Sequence, residues 1–168
     1  MRGLGLTAAW LYVALAGGVA QADDAAASGD AAQVQEEIAR DSVRTLRSAA
    51  RSLKRFGSRA KRSGSAPSPA EGAYREWLGE ATGRVDALVG RWSAKLEFFH
   101  RDFPREALLE DPERLARAAT WLGENNRDLQ GQAEKLRADL LAGNEGFTSR
   151  IPALRLEKTR AVLQTIGE

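Results

Sequence analysis

Arginines between positions 40 and 62 recur with a spacing that could bind an anion. Together with one lysine they form a set of eight basic residues: Arg40, Arg44, Arg47, Arg51, Lys54, Arg55, Arg59 and Arg62. The arginines are three or four residues apart, which places their side chains on one face of an α-helix. Guanidinium groups remain protonated and donate hydrogen bonds to phosphates and carboxylates. The pattern therefore predicts that this face binds an anionic partner.

The positive charge is confined to this stretch of the sequence. Nine basic residues and one acidic residue lie between positions 40 and 62, whereas 15 basic and 17 acidic residues lie between positions 71 and 168. Two other interpretations of the basic face stay open. A run of charge is often only solvated, and this one could dock on the acidic remainder of the chain.

No set of residues in the sequence indicates catalysis or metal binding. His100 is the only histidine and cysteine is absent, so His100 lacks the companions that a zinc or catalytic centre requires. Acidic residues gather before and after Pro112 without the spacing of a calcium loop: Glu106, Glu110, Asp111 and Glu113. Motifs for phosphate loops, dinucleotide sites and nucleophile elbows are also missing. We predict a protein that is not an enzyme and has no cofactor or metal.

The first 22 residues have the pattern of a secretory signal peptide. Arg2 precedes an uncharged, mostly apolar run from Leu4 to Val19, and Ala20-Gln21-Ala22 provides a small-x-small cleavage site. An uncleaved anchor is the alternative, since the run could cross a bilayer if tilted. The signal peptide predicts a periplasmic or secreted protein. Without cysteine, its stability in an oxidising compartment depends on packing alone.

A basic amphipathic helix is predicted over residues 31–62. Residues 23–30 are small and acidic, and we expect them to be a flexible lead-in or a fraying helix start. Apolar residues recur on the side opposite the arginines: Val34, Ile38, Leu46, Ala49, Leu53, Phe56 and Ala60. Residues 63–70 are rich in Ser, Gly and Pro and predict a linker.

Residues 71–168 are expected to form a helical bundle domain, on which the basic helix is either docked or free. Ser68-Pro69-Ala70-Glu71 is a capping box that begins a helix running to about Arg101. Asp111-Pro112 begins another, which should end near Gly143. Two long helices with a short connection pair antiparallel. A weaker helix is predicted from about Pro152 to Ile166. The fold class is therefore all-α, a long antiparallel hairpin within a three- or four-helix bundle.

Three features of the hairpin allow both a structural and a functional interpretation. Asn126 lies on the apolar side of its helix and is either a ligand hook or, as we prefer, a residue that fixes helix register. A stripe of glycines lies along the first hairpin helix: Gly79, Gly83 and Gly90. It arises either by chance in a glycine-rich sequence or because a second backbone approaches closely there. Trp121, beside Leu122, is expected to be partly exposed.

The predicted function is a structural or interaction role in the cell envelope. The candidate partners of the basic helix are an anionic lipid surface, an acidic envelope polymer, an acidic protein or a second copy of the chain. Nucleic acid is disfavoured, because the protein is exported and Phe56 is the only aromatic residue in the basic stretch that could stack on bases. The alternative is a periplasmic chaperone or adaptor that binds protein clients through the hairpin.

Overall fold

A computed structural model describes residues 21–59 and 68–167, and every regular element in these two ranges is an α-helix. The helices follow in the order α1 (Gln21–Arg59), α2 (Pro69–Asp102), α3 (Arg105–Glu110), α4 (Pro112–Glu145) and α5 (Ala153–Gln164). The predicted all-α class is confirmed. Residues 1–20, which hold most of the predicted signal peptide, lie outside the described residues.

Local capping begins the two hairpin helices where the sequence predicts. Ser68 Oγ accepts a hydrogen bond from the Glu71 amide at 3.2 Å, and Glu71 Oε2 accepts one from the Ser68 amide at 3.3 Å. At the start of α4, Asp111 Oδ1 accepts a hydrogen bond from the Arg114 amide at 3.0 Å. These side chains satisfy amides that have no partner inside the helix.

The helices α2 and α4 form the predicted antiparallel hairpin. Arg84 Nη2 of α2 donates to Asp139 Oδ2 of α4 at 2.8 Å. Nearer the turn, the Phe98 ring stacks on Trp121, with 5.1 Å between the ring centroids. Residues that come later in α2 therefore meet residues that come earlier in α4. The short helix α3 lies in the connection between them.

The basic helix is docked on the bundle. α1 packs along both α2 and α4. Its buried residues belong to the same hydrophobic core as those of α2, α4 and α5: Ala39, Val43, Leu46, Ala49, Ala50 and Leu53. Burial of these six side chains stabilises the bundle, because it removes from water the apolar surface of α1 and of the helices packed against it.

The apolar side of α1 is rotated relative to the prediction. Val34 and Ile38, which the sequence placed on the buried side, are 52% and 39% exposed. Ala39, Val43 and Ala50, which were not assigned to it, are buried. The reason is that α1 lies in the groove between two helices, where small side chains allow close approach. Leu46 and Leu53 point to the buried side correctly, whereas Val34 and Ile38 do not.

The described part of α1 includes the residues before the basic stretch. Residues 23–30, for which a flexible lead-in or a fraying helix start is predicted, are helical and belong to α1 (Gln21–Arg59). Three consecutive alanines, residues 25–27, explain this, because alanine has the highest helix propensity. Of the predicted linker over 63–70, only residues 68–70 are described, and Pro69 and Ala70 belong to α2.

A buried polar cluster joins α5 to the hairpin. The Tyr74 hydroxyl of α2 lies 2.8 Å from Thr159 Oγ1 of α5 and 3.2 Å from Asn144 Oδ1 of α4. Asn144 Nδ2 donates to the Leu156 carbonyl at 3.1 Å. Burial raises the pKa of Tyr74 above its usual value of 10.0, although the hydrogen bond to Thr159 and the charge of Arg155 act in the opposite direction.

The raised pKa makes stability depend on alkaline pH. In the unfolded chain the phenol ionises near pH 10, so the stabilisation from Tyr74 is complete below that pH and is lost as the pH rises through the higher folded-state pKa. We expect Tyr74→Phe to cost about 1 kcal/mol at neutral pH through its lost hydrogen bonds. In urea unfolding, the difference in unfolding free energy between the unchanged protein and the Tyr74→Phe variant should become smaller above pH 10. A difference that stays constant up to about pH 11 would contradict the assignment.

A glycine of α4 permits close packing of a tryptophan of α2. A Cβ atom added at Gly143 would lie 2.6 Å from Trp77 Nε1. The indole cannot easily retreat, because its ring centroid is 5.5 Å from that of Tyr74 and 5.8 Å from that of Phe147. By contrast, a Cβ at each glycine of the α2 stripe would have no atom within 4 Å. α1 therefore does not lie on that stripe.

Two alanine substitutions should consequently change stability in opposite directions. Gly143→Ala should destabilise the protein by about 1 kcal/mol, because the clash with Trp77 outweighs the gain in helix propensity. The matched control Gly90→Ala keeps that gain without a clash and should stabilise the protein by about 0.5–1 kcal/mol. Thermal and urea unfolding of both variants measure the difference. Equal stabilisation by the two changes would show that Trp77 is not held in place.

Candidate functional site

Docking of α1 through its apolar side turns the predicted basic face outward. Six of the eight predicted binding residues have described side chains, and all six are exposed: Arg40, Arg44, Arg47, Arg51, Lys54 and Arg55. The side chain of Arg59 and the whole of Arg62 lie outside the described residues. The face is therefore carried on a helix whose position is fixed by the core.

The first two arginines are neutralised within their own helix. Arg40 forms an ion pair with Glu36, one turn earlier in α1. Arg44 Nη2 lies 3.2 Å from Asp41 Oδ1. Both carboxylates belong to α1, and both pairs are exposed, so each pair contributes at most about 1 kcal/mol to folding.

The later cations of the face carry charge without a carboxylate partner. Arg47 Nη2 donates to the Ser93 hydroxyl of α2 at 3.2 Å, which is a neutral partner. In the part of the chain that the structure describes, the side chains of Arg51, Lys54 and Arg55 form no hydrogen bond or ion pair. Within the described residues, none of the six pairs with a carboxylate of α2, α4 or α5, so the acidic remainder of the chain does not neutralise them there.

A solvent-facing cleft of about 440 Å³ runs between α1 and α2 beside this face. Its wall on α1 consists of four arginines and one valine: Arg40, Val43, Arg44, Arg47 and Arg51. Ser93 and Leu96 of α2 complete the lining. The volume lies within the range of small-molecule sites, about 300–1,000 Å³. The cleft thus combines several cationic side chains with an apolar floor.

Sequence reasoning identified the arginines and missed the rest of the cleft. Ser93 and Leu96 lie on a different helix, and no local pattern relates them to the arginines. Val43 was missed because the apolar side of α1 was placed too far round the helix. The arrangement can hold and orient an anion by charge and hydrogen bonding. Lys54 and Arg55 lie on the same face but do not line the cleft.

The single histidine and the acidic group have local structural roles. His100 Nε2 lies 2.7 Å from Glu36 Oε1, so it links the end of α2 to α1. Asp111 caps α4, while the side chain of Glu106 lies outside the described residues. Among the residues with described positions, no three His, Asp or Glu side chains are arranged to hold a metal ion.

Asn126 connects two helices. Its Nδ2 donates to the Gln35 carbonyl at 2.8 Å and lies 3.0 Å from Gln35 Oε1. Asn126 is 6% exposed. The link from α4 to α1 agrees with the predicted role in helix register.

A second surface lies on the side of the hairpin where Phe98 is exposed. It is a groove of about 480 Å³ between α2 and α4, lined in part by Phe98 and Trp121. Lys95 Nζ lies 5.6 Å from the centroid of the Trp121 ring. Trp121 is partly exposed, as predicted. Its stack with Phe98 forms an aromatic shelf with a cation beside it.

Comparison with known proteins does not place the chain in a family. No family model, curated protein or solved structure matches it. Within residues 21–59 and 68–167, no helix combines the length and the apolar content needed to cross a membrane.

Proposed function

We propose that this chain is an exported, non-enzymatic helical protein with a structural or interaction role in the cell envelope. In this proposal the exposed face of α1 contacts an anionic partner. The observation that carries it is the group of cations without carboxylate partners, Arg47, Arg51, Lys54 and Arg55. Export rests on the signal-peptide pattern, and the absence of catalysis rests on the missing motifs.

The way α1 is docked favours contact with a surface rather than insertion into it. Leu53 and Ala49 are buried in the bundle, so the apolar side of α1 is not available to enter a membrane as a free amphipathic helix would. The contact is therefore electrostatic. Because folding already orders the helix, binding does not require the entropy loss of forming it. Among the candidate partners, an anionic lipid surface is the simplest to test, and an acidic polymer or acidic protein would use the same cations.

Sedimentation with vesicles tests this proposal. The sample is residues 23–168, which contain every core residue that the structure describes as buried. We expect binding to vesicles with phosphatidylglycerol and none to neutral phosphatidylcholine vesicles. Each basic residue near an anionic surface contributes about 1 kcal/mol. The triple variant Arg51→Gln, Lys54→Gln, Arg55→Gln should therefore bind about 100-fold more weakly.

A matched control removes the same charge from another surface. Arg127, Lys135 and Lys158 are exposed on α4 and α5, and their replacement by Gln should leave binding within about threefold of the unchanged protein. Binding should also fall steeply when the salt concentration is raised. Equal losses in both triple variants, or binding that resists salt, would reject the basic face as the contact.

The aromatic groove supports a second candidate function, an adaptor or holdase that binds protein clients through the hairpin. Phe98 is 37% exposed although it is a large apolar residue, and aromatic side chains are typical of protein interfaces. Apolar binding in the groove should resist salt, unlike binding by the arginines.

Suppression of aggregation of a reduced, unfolded client measures this second function. We expect activity that persists at high salt and falls at least about threefold in Phe98→Gln, because part of the apolar shelf is removed. The triple variant of the basic face is the control and should retain full activity. Loss of activity in that variant, or no effect of Phe98→Gln, would reject the groove as the client site.

A further inference from the structure

The cleft between α1 and α2 differs chemically from the rest of the basic face. Arg47 and Arg51 line it, whereas Lys54 and Arg55 continue along α1 outside it. The second helix adds the Ser93 hydroxyl and the apolar side chain of Leu96. A diffuse contact with a charged surface would need only the cations. The presence of a wall from α2 suggests a site for one discrete ligand.

Charge within the cleft is concentrated on two arginines. Arg40 and Arg44 are paired with Glu36 and Asp41, which reduces their attraction for another anion. Arg47 and Arg51 are four residues apart, so their side chains extend from neighbouring turns of the same face. Two guanidinium groups can donate bidentate hydrogen bonds to one phosphate. A carboxylate has fewer acceptor oxygens and less negative charge than a phosphate. It would therefore pair fully with only one of the two guanidinium groups.

Ser93 holds one of these arginines in position. Its hydroxyl accepts a hydrogen bond from Arg47 Nη2 at 3.2 Å. An arginine that is already oriented loses less side-chain entropy when a ligand binds. The Ser93 hydroxyl also retains its own hydrogen, which it can donate to a ligand oxygen.

The floor of the cleft is apolar. Val43 is buried, Leu96 is partly buried, and both pack in the hydrophobic core. Both residues line the cleft next to the arginines. A ligand whose phosphate lies between Arg47 and Arg51 can therefore place an adjoining hydrocarbon segment on this floor. The gain comes from covering the exposed part of Leu96, since Val43 is only 5% exposed.

We propose that the cleft binds a phosphate monoester attached to a short hydrocarbon segment. Arg47 and Arg51 bind the phosphate, Ser93 positions Arg47, and Val43 with Leu96 contacts the hydrocarbon. This inference rests on the proposed function, because it names the ligand class of the same basic face. The ligand could be phosphatidate, an anionic lipid whose headgroup is a phosphate monoester, or a water-soluble phosphate monoester, and the two sources share this chemistry.

Calorimetric titration of residues 23–168 with dihexanoyl phosphatidate, below its micellar concentration, tests the proposal. Arg47→Gln with Arg51→Gln should weaken binding at least about tenfold, because charge-assisted hydrogen bonds to the phosphate are lost. The matched control Lys54→Gln with Arg55→Gln removes the same charge outside the cleft and should change the affinity less than about threefold. Ser93→Ala should weaken binding while leaving the urea unfolding curve unchanged.

Two further ligands identify which part of the molecule is recognised. Dihexanoyl phosphatidylcholine, which has the hydrocarbon but no phosphate monoester, should not bind. Inorganic phosphate should bind more weakly than the phosphatidate, because it lacks the hydrocarbon. Equal affinity for inorganic phosphate would overturn the role of Val43 and Leu96.

The outcomes separate this inference from the proposed function. If both double variants weaken phosphatidate binding equally, the cleft is not a site, although vesicle binding by the basic face could still hold. If the unchanged protein binds vesicles but shows no heat with phosphatidate, the cleft proposal is rejected alone. Loss of vesicle binding with retained phosphatidate binding would reject the surface contact and leave the cleft as a site for a soluble ester.

Discussion

Burial of one side of α1 between α2 and α4 is the interaction on which the rest of the structure depends. Leu46 and Leu53 are 1% and 0% exposed, and they belong to the same core as residues of α2, α4 and α5. Removing α1 would expose the groove of the hairpin to water and cost each of these contacts. The same packing forces the arginines outward, because the opposite side of a helix that is buried along one stripe must face solvent.

The consequence is a charged surface that folding does not neutralise. A protein selected only for stability would place carboxylates opposite these cations or use fewer of them, since like charges on neighbouring helical turns repel. Here the two ion pairs of the face lie within α1 itself, and Arg47 has a hydroxyl as its partner. The uncompensated cations lie around the middle and end of the described part of α1, beside the cleft. Within the described residues, the fold therefore leaves these charges exposed to solvent.

Local signals in the sequence predicted the parts of this structure that depend on neighbouring residues. Patterns within a few turns of chain predict the helix starts at Ser68 and Asp111. They also predict that the arginines face outward. The apolar direction of α1 could not be predicted in the same way. It is set by two other helices, and Ala39 and Ala50 are buried because small side chains fit between them. The cleft lining was unpredictable for the same reason, since Ser93 meets Arg47 only after the helices have packed.

Apolar packing and polar contacts together set the position of α1 along its own axis. A slide of seven residues would put Leu46 in place of Ala39 and Phe56 in place of Ala49, where the observed packing holds small side chains. Asn126 distinguishes the two registers. In the observed register it bonds to Gln35, whereas after the slide it would meet Ser42.

The same slide would change the cleft. Lys54 would replace Arg47 opposite Ser93, and an ammonium group cannot form the two parallel hydrogen bonds that a guanidinium forms with a phosphate. A single buried polar residue can specify register at some cost in stability, as in coiled coils. In this protein the register of α1 also decides which side chain faces Ser93 at the surface. Asn126 does not line the cleft, yet its contacts with Gln35 belong to the register in which Arg47, rather than Lys54, faces Ser93.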